Sequence, residues 1–272
     1  MIYECVINVS NGQDELTLES LANNIGKTCL DVHIDFDHNR SVFTLGGFNL
    51  NEVFESAQFL VERCYESFNF ENHDGVHPRL GLVDVVPFIS YDEETTIPSK
   101  ETIEASINFG HWASEKYSTQ IFFYDYASPE KVTLPYIRKN AIHDSSAYGS
   151  MCIGAREPLL AINVNVDSCD LFLATNIAKA IRESSGGIKG VRAIGLKLSS
   201  QKKVQVSMNI VNTVDVNAGE VCLEIKRSAL PNDCEVELVG LVPMHQYEKW
   251  DNEFISWSNI DESFTVESRL SS

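Results

Sequence analysis

Twice along the 272 residues the hydrophobic pattern runs strand, helix, strand, strand, helix, strand, and this repetition limits the fold more than any single residue does. In the first half, Ile2 to Asn8 reads as a short buried strand ended by Ser10-Asn11-Gly12. The helix predicted from Asp14 to Ile25 has Leu16, Leu18, Leu21 and Ala22 for its inner face and Gly26 beyond its end. Strands at Cys29–Asp35 and Ser41–Leu45 are joined by residues 36–40, and a helix capped by Asn49 carries Leu50, Val53, Phe54, Ala57, Leu60, Val61, Cys64, Tyr65 and Phe68 at helical spacing. A strand inside His73–Ser90 closes the set. In the second half the same order runs through Leu159–Val166, a helix capped by Asp167 or Ser168, Val191–Leu198, Val204–Val211, a helix from Asn217 to Ser228, and Cys234–Val242. Between the repeats lie a helix from Ser99 to Tyr117, a strand from Gln120 to Tyr126 and a less regular stretch, 127–153, which is a candidate binding loop. About Pro243 to Asp251 reads as helical before a polar tail. The order predicts an α+β fold of two ferredoxin-like β-α-β-β-α-β subdomains, residues 1–156 and 157–272, each an antiparallel sheet with helices packed on one face. A cleft between two such halves is a natural ligand site, but fold alone names no function.

Composition narrows the function classes. Hydrophobic residues at 43% and charged residues at 22% are ordinary globular values. A net charge of −18 argues against nucleic acid as a partner, because phosphate binding needs a basic surface. An anionic small molecule must instead be held by a local basic pocket against a repulsive global field. Seven widely spaced cysteines with no Cys-x-x-Cys pair fit reduced thiols. The amino terminus shows no signal-peptide pattern, and no apolar run is long enough to span a bilayer, so a cytoplasmic protein without a membrane partner is expected.

The segment His73–Ser90 concentrates the special-purpose residues. Asp74-Gly75 marks a turn, and Pro78 biases His77 towards an extended backbone. A β-rich run through Leu82, Val83, Val85, Val86, Phe88 and Ile89 follows. His77 and Arg79 therefore stand near a strand entrance, where an imidazole can move a proton on a substrate whose carboxylate the guanidinium holds. The competing reading is a loop with surface charges. Asp31, His33 and Asp35 share one strand face, with Asp37 and His38 close behind, a pattern that can hold a metal but that acidic strand ends also produce without one. The spacing of His73 and His77 suits zinc only on a helix, which Gly75 and Pro78 forbid. Cys152 has no base or helix start near it and reads as a buried thiol, so no metal and no thiol nucleophile are expected.

With the chain laid out, its blocks resemble the formiminotransferase domain of the glutamate formiminotransferase family. Glu4-Cys5-Val6-Ile7-Asn8-Val9-Ser10-Asn11-Gly12 is similar to the family's opening, and the likeness continues through Asn39–Thr44 and the His73–Ile89 segment. It resumes at Gly154-Ala155-Arg156, at Val204–Asn209 and at Glu237–Pro243, in the same order. A cyclodeaminase domain, fused behind this one in some relatives, has no counterpart in the sequence, so a stand-alone transferase is expected.

The resemblance implies transfer of a formimino group from N-formiminoglutamate to N5 of tetrahydrofolate, a step of one-carbon metabolism and histidine catabolism, with tetrahydrofolate as co-substrate. A related formyl transfer giving 5-formyltetrahydrofolate, or a non-catalytic folate-binding protein of the same fold, is the alternative. His77 aligns with the family's proton-transfer histidine. The folate-contacting loop maps onto about Asn140 to Gly149, with Ser145, Ser146, Tyr148 and Gly149 as binding residues. Asn8, Arg40, Arg79, Arg156 and Arg182 are the candidates for holding substrate, the arginines because glutamate and the folate tail both carry carboxylates. For each arginine a salt bridge or, for Arg182, a helix end is the alternative. The sequence departs from the family at Ile7, at Asn11, at Val76, where a glutamate commonly precedes the histidine, and along Ala141–Tyr148. Relatives often self-associate, which makes a homodimer an expectation by resemblance.

Overall fold

The computed structural model describes residues 1–272 other than 71, 72, 77 and 142–145. The expected α+β class is present, in two compact units, Met1–Glu157 and Pro158–Ser272. Each unit contains a four-stranded antiparallel motif, and in both the fourth strand of the motif pairs with the first, the first with the third and the third with the second.

In the first unit the motif comprises β1 (Ile2–Val9), α1 (Glu15–Ile25), β2 (Cys29–Asp35), β3 (Arg40–Gly47), α2 (Leu50–Ser67) and β4 (Val83–Tyr91). β1 lies between β3 and β4, with Cys5 opposite Leu45 on one side and Phe88 on the other. Helix α2 turns Val53, Ala57, Leu60, Val61, Cys64 and Tyr65 onto the sheet at spacings of three and four, and burial of each large apolar side chain stabilises by roughly 1.5–3 kcal/mol. Asp14 caps α1 by accepting from the Thr17 amide, and Leu18 and Leu21 are buried. Leu16, expected on the same inner face, is 81% exposed. Two residues of helix turn it about 200° from Leu18, so the two cannot share a face.

The chain continues as α3 (Lys100–Tyr117), β5 (Gln120–Asp125), α4 (Leu134–Asn140) and β6 (Ser150–Ala155). β6 inserts between β4 and β5 and is parallel to both, with Cys152 opposite Val85 and Phe122. The first sheet thus has six strands and adds two parallel pairs to its antiparallel motif. Neither α4 nor β6 was expected within 127–153. β6 is buried along its whole length, so Ser-Met-Cys-Ile-Gly-Ala shows no alternation of polar and apolar residues. Helices α1, α2 and α3 share one apolar cluster with the strands, while Leu80, Val85, Tyr124, Ile137 and Cys152 form a smaller cluster under α4.

The second unit comprises β7 (Leu160–Val166), α5 (Leu171–Ile181), β8 (Val191–Leu198), β9 (Lys203–Ile210), α6 (Ala218–Ser228) and β10 (Cys234–Val239). β7 lies between β9 and β10, with Val164 opposite both Val206 and Val236. The cap of α5 is Asp170, two to three residues later than expected, and it accepts from the Phe172 amide at 2.9 Å. Beyond α7 (Met244–Tyr247), the stretch expected as a polar tail folds into α8 (Asn252–Ser258) and α9 (Val266–Leu270). Phe254 and Val266 are buried there and the Trp257 indole donates to the Cys234 carbonyl at 3.0 Å, so a few large side chains outweigh the polar composition. No helix among the described residues is long and apolar enough to cross a membrane.

Candidate active site

Where β1 ends, β3 begins and β4 begins, three polar side chains meet because β1 pairs with both of its neighbours. Asn8 stands opposite Val42 on β3 and Val85 on β4, and the next pair is Val9 with Val83. Asp84 is therefore the extra residue of a β-bulge, a device that re-aims a side chain. Its side chain is fully buried. Its Oδ1 accepts from the Leu80 amide at 2.8 Å, and its Oδ2 accepts from Arg40 at 2.8 Å and from Arg138 on α4 at 2.7 Å. The Nε of Arg40 donates to Asn8 Oδ1 at 3.0 Å. Burial alone would raise the Asp84 carboxyl, but Arg40 and Arg138 outweigh it and hold the group below the ordinary carboxylate value. Burial pulls the Arg40 guanidinium down, and Asp84 pulls it back.

Arg79 lies within electrostatic range of the same carboxylate. Burial lowers its guanidinium, and the Asp84 charge opposes that. It lies over the Phe70 ring, 4.0 Å from the centroid, and donates to the Phe70 carbonyl at 2.5 Å. His73 is depressed below the usual imidazole value by burial and then by Arg79, with Asp74 opposing and Arg40 adding to it. The Val76 amide donates to the Asp37 carbonyl at 3.2 Å, tying this segment to the turn between β2 and β3. At that turn His38 donates its amide to Asp35 Oδ1 at 2.8 Å and sets its ring 3.6 Å from Oδ2, so Asp35 is engaged in closing the turn.

The far end of the expected folate loop joins the same strand entrance. The Leu82 amide donates to the Tyr148 carbonyl at 2.8 Å, the Ser150 amide to the Leu80 carbonyl at 2.9 Å, and Gly81 and Gly149 form a bridge. Ser146 Oγ donates to the Gly149 carbonyl at 2.7 Å. Gly149 has φ +70, and a Cβ there would lie 2.5 Å from the Leu80 oxygen and 2.7 Å from the Phe70 ring, so only glycine fits without strain. Tyr148 stacks on Tyr65 at 3.9 Å and 3° and meets Tyr117 edge-on, so one of its faces is already covered within the first unit.

Of the residues singled out in the sequence, Asn8, Arg40 and Arg79 gather around Asp84, and Ser146, Tyr148 and Gly149 stand at the adjoining loop base. Arg156 does not join them. Its amide donates to the Phe88 carbonyl, four strand residues and roughly 13 Å from Asp84, and its guanidinium donates to the Glu157 carbonyl at 2.8 Å. Arg182 is engaged locally, donating from Nε to Ser185 at 2.7 Å beyond the end of α5. His77 and Ser145 lie outside the described residues. Asp84 and Arg138 were not singled out. A lone carboxylate inside the run Val83-Asp84-Val85 was the available signal, since a buried charge requires partners. All seven cysteines are free thiols, and burial raises Cys152 to about 12, with the nearby Asp84 charge adding to the effect.

Residues 2–154 match the N-terminal subdomain of the formiminotransferase domain, and residues 161–267 match the formiminotransferase domain that follows it. The chain belongs to the formiminotransferase family. The resemblance read from the sequence is thereby confirmed, and formiminotransferases are transferases. The glutamate formimidoyltransferase of Streptococcus pyogenes serotype M1 is 35% identical, with 89% of each chain covered. That of Thermoplasma acidophilum is 28% identical, over 99% of this chain and 97% of its own length. The formimidoyltransferase-cyclodeaminase of Gallus gallus is 31% identical over 89% of this chain, but the match takes in only 50% of the longer relative.

Proposed function

We propose that this formiminotransferase moves a formimino group from N-formiminoglutamate to N5 of tetrahydrofolate, with His77 as the acid and base. The observation that carries the reading is the gathering of Arg40, Arg79 and Arg138 around a single carboxylate, Asp84, in a chain of net charge −18. A local excess of positive charge suits a donor that carries carboxylates, and guanidinium groups bind them in two-point fashion. The loop base at Ser146, Tyr148 and Gly149 is hydrogen-bonded to this strand entrance, which supports folate binding beside it.

In this reaction N5 attacks the formimino carbon and a new C–N bond forms. The bond from that carbon to the glutamate nitrogen then breaks. N5 loses a proton and the departing nitrogen gains one. An imidazole near its ordinary pKa of about 6.5 can take the first proton and return it as the second, a shuttle worth roughly 10²–10⁴-fold. Positioning of the two substrates supplies much of the rest. The subdomain division near Arg156 and a cytoplasmic location belong to the same reading, and seven free thiols suit a reducing compartment.

The test is turnover with purified protein, tetrahydrofolate and either N-formiminoglutamate or N-formylglutamate, with His77→Ala as the control. Substituted folate from the formimino donor, lost in a variant whose melting temperature is unchanged, is the expected result. Product from the formyl donor alone would replace formimino with formyl transfer, and no product from either would overturn the proposal.

A further inference from the structure

We infer that Arg138, on α4, is a carboxylate-binding residue for the donor and determines specificity for an acidic over an amidated substrate. This rests on the proposed transfer from a glutamate derivative. Both Arg40 and Arg138 bond to Asp84, but they are not equivalent. Arg40 has only 8% of its side chain exposed, and both its Nε and one terminal nitrogen are engaged, by Asn8 and Asp84. It is a strut between β1, β3 and β4. Arg138 has 22% of its side chain exposed with one terminal nitrogen on Asp84, and its Nε is buried with no partner among the described residues, so the exposed end of its fork is the part a ligand reaches. Arg79 likewise has one buried terminal nitrogen without a partner among the described residues.

At Asp84 itself three guanidiniums face one carboxylate, and the two less enclosed ones, Arg79 and Arg138, both lie in its field. A dicarboxylate brings two negative charges, and a guanidinium fork held by a buried acid is already oriented for one of them, so little side-chain freedom is lost on binding. Position supports the same role. Ile137 buries the adjacent turn of α4 against Val85 and Cys152, so Arg138 projects from a fixed point.

Arg138→Met is the informative substitution, because Asp84 keeps Arg40 as its partner and the buried charge stays compensated. Loss of a hydrogen-bonded ion pair to substrate should raise KM for N-formiminoglutamate roughly 10–100-fold, with KM for tetrahydrofolate and the melting temperature near wild type. Wild-type enzyme should prefer the donor over one of its two monoamide analogues by a similar factor, and that preference should vanish in Arg138→Met and partly return in Arg138→Lys. Calorimetry with glutarate gives a readout independent of turnover, and binding should weaken in parallel. An unchanged donor KM and unchanged glutarate affinity would overturn the assignment. So would an equal rise in both KM values with a lowered melting temperature, the signature of a structural role. Arg138-dependent glutarate binding in a protein that turns over neither donor would sustain the site and reject the proposed reaction.

Discussion

Replacing Asp84 by asparagine should cost far more than its single-atom change suggests. Asparagine can still accept from the Leu80 amide, so that bond is kept. What disappears is the charge that answers two guanidiniums. Each charge-assisted hydrogen bond lost is worth about 1.5–3 kcal/mol, but Arg138 is partly exposed and water compensates it. Arg40 cannot be rehydrated, and removing one partner of a buried pair typically costs 3–5 kcal/mol. We therefore expect a loss of about 3–5 kcal/mol at pH 7, which for a urea dependence of about 2–3 kcal/mol per molar moves the unfolding midpoint down by roughly 1–2.5 M. The pH dependence has a definite sign. The folded-state pKa of Asp84 is depressed, so its contribution is fully present above the unfolded value of about 3.9 and is lost as pH falls through the folded value. The stability gap between wild type and Asp84→Asn should be constant above pH 4 and close progressively below it. Adding Arg40→Met to Asp84→Asn should recover part of the loss, because the uncompensated charge goes with it. A loss under 1 kcal/mol at pH 7, or a gap that does not narrow in acid, would refute the argument.

Gly149→Ala should destabilise by more than ~1 kcal/mol and raise KM for tetrahydrofolate, since the new Cβ meets the Leu80 oxygen and the Phe70 ring; Gly186→Ala, at φ +87 in open space, should cost only about 1 kcal/mol with no effect on KM. Burial raises the thiols of Cys5, Cys64, Cys152 and Cys222, so their contribution is complete below the unfolded value near 8.5 and declines as pH rises towards the folded values. Urea stability should fall above that pH by roughly 1.4 kcal/mol per pH unit for each thiol ionising only in the unfolded chain, and a flat profile to pH 10 would contradict the burial argument.

The fold was legible where periodicity is strong. The apolar spacing along Leu50–Ser67 and the alternation of the outer strands carry the two antiparallel motifs. It was illegible where burial is total or local chemistry is weak: β6 is apolar on both faces, and α4 is a seven-residue helix opened by Leu134-Pro135. Site residues followed the same division. Asn8, Arg40 and Arg79 stand beside recognisable strand ends, where local pattern draws attention to them. Asp84 sits in an apolar run and acquires its meaning only when a bulge and two distant arginines meet it, 44 and 54 residues away in sequence. Long-range encounters of that kind leave no mark in local spacing. Arg156 was picked for its type and motif, and the β6 register carries it to the other end of β4.

The insertion of β6 between β4 and β5 also sets an order of events as the chain is made. Until residues 150–155 leave the ribosome, β4 has β1 on one edge and nothing on the other, while β5 has no neighbour with which to pair. The open edge belongs to Val83–Tyr91, the most continuously buried strand of the sheet, and exposed apolar edges invite pairing with other chains. The first unit therefore cannot finish folding in step with synthesis. Nearly all of it must emerge before the strand that joins β4 to β5 arrives, and parallel closure over such a separation is slow. A nascent chain paused just short of Ser150 would present the edge of Val83–Tyr91 with no strand to cover it.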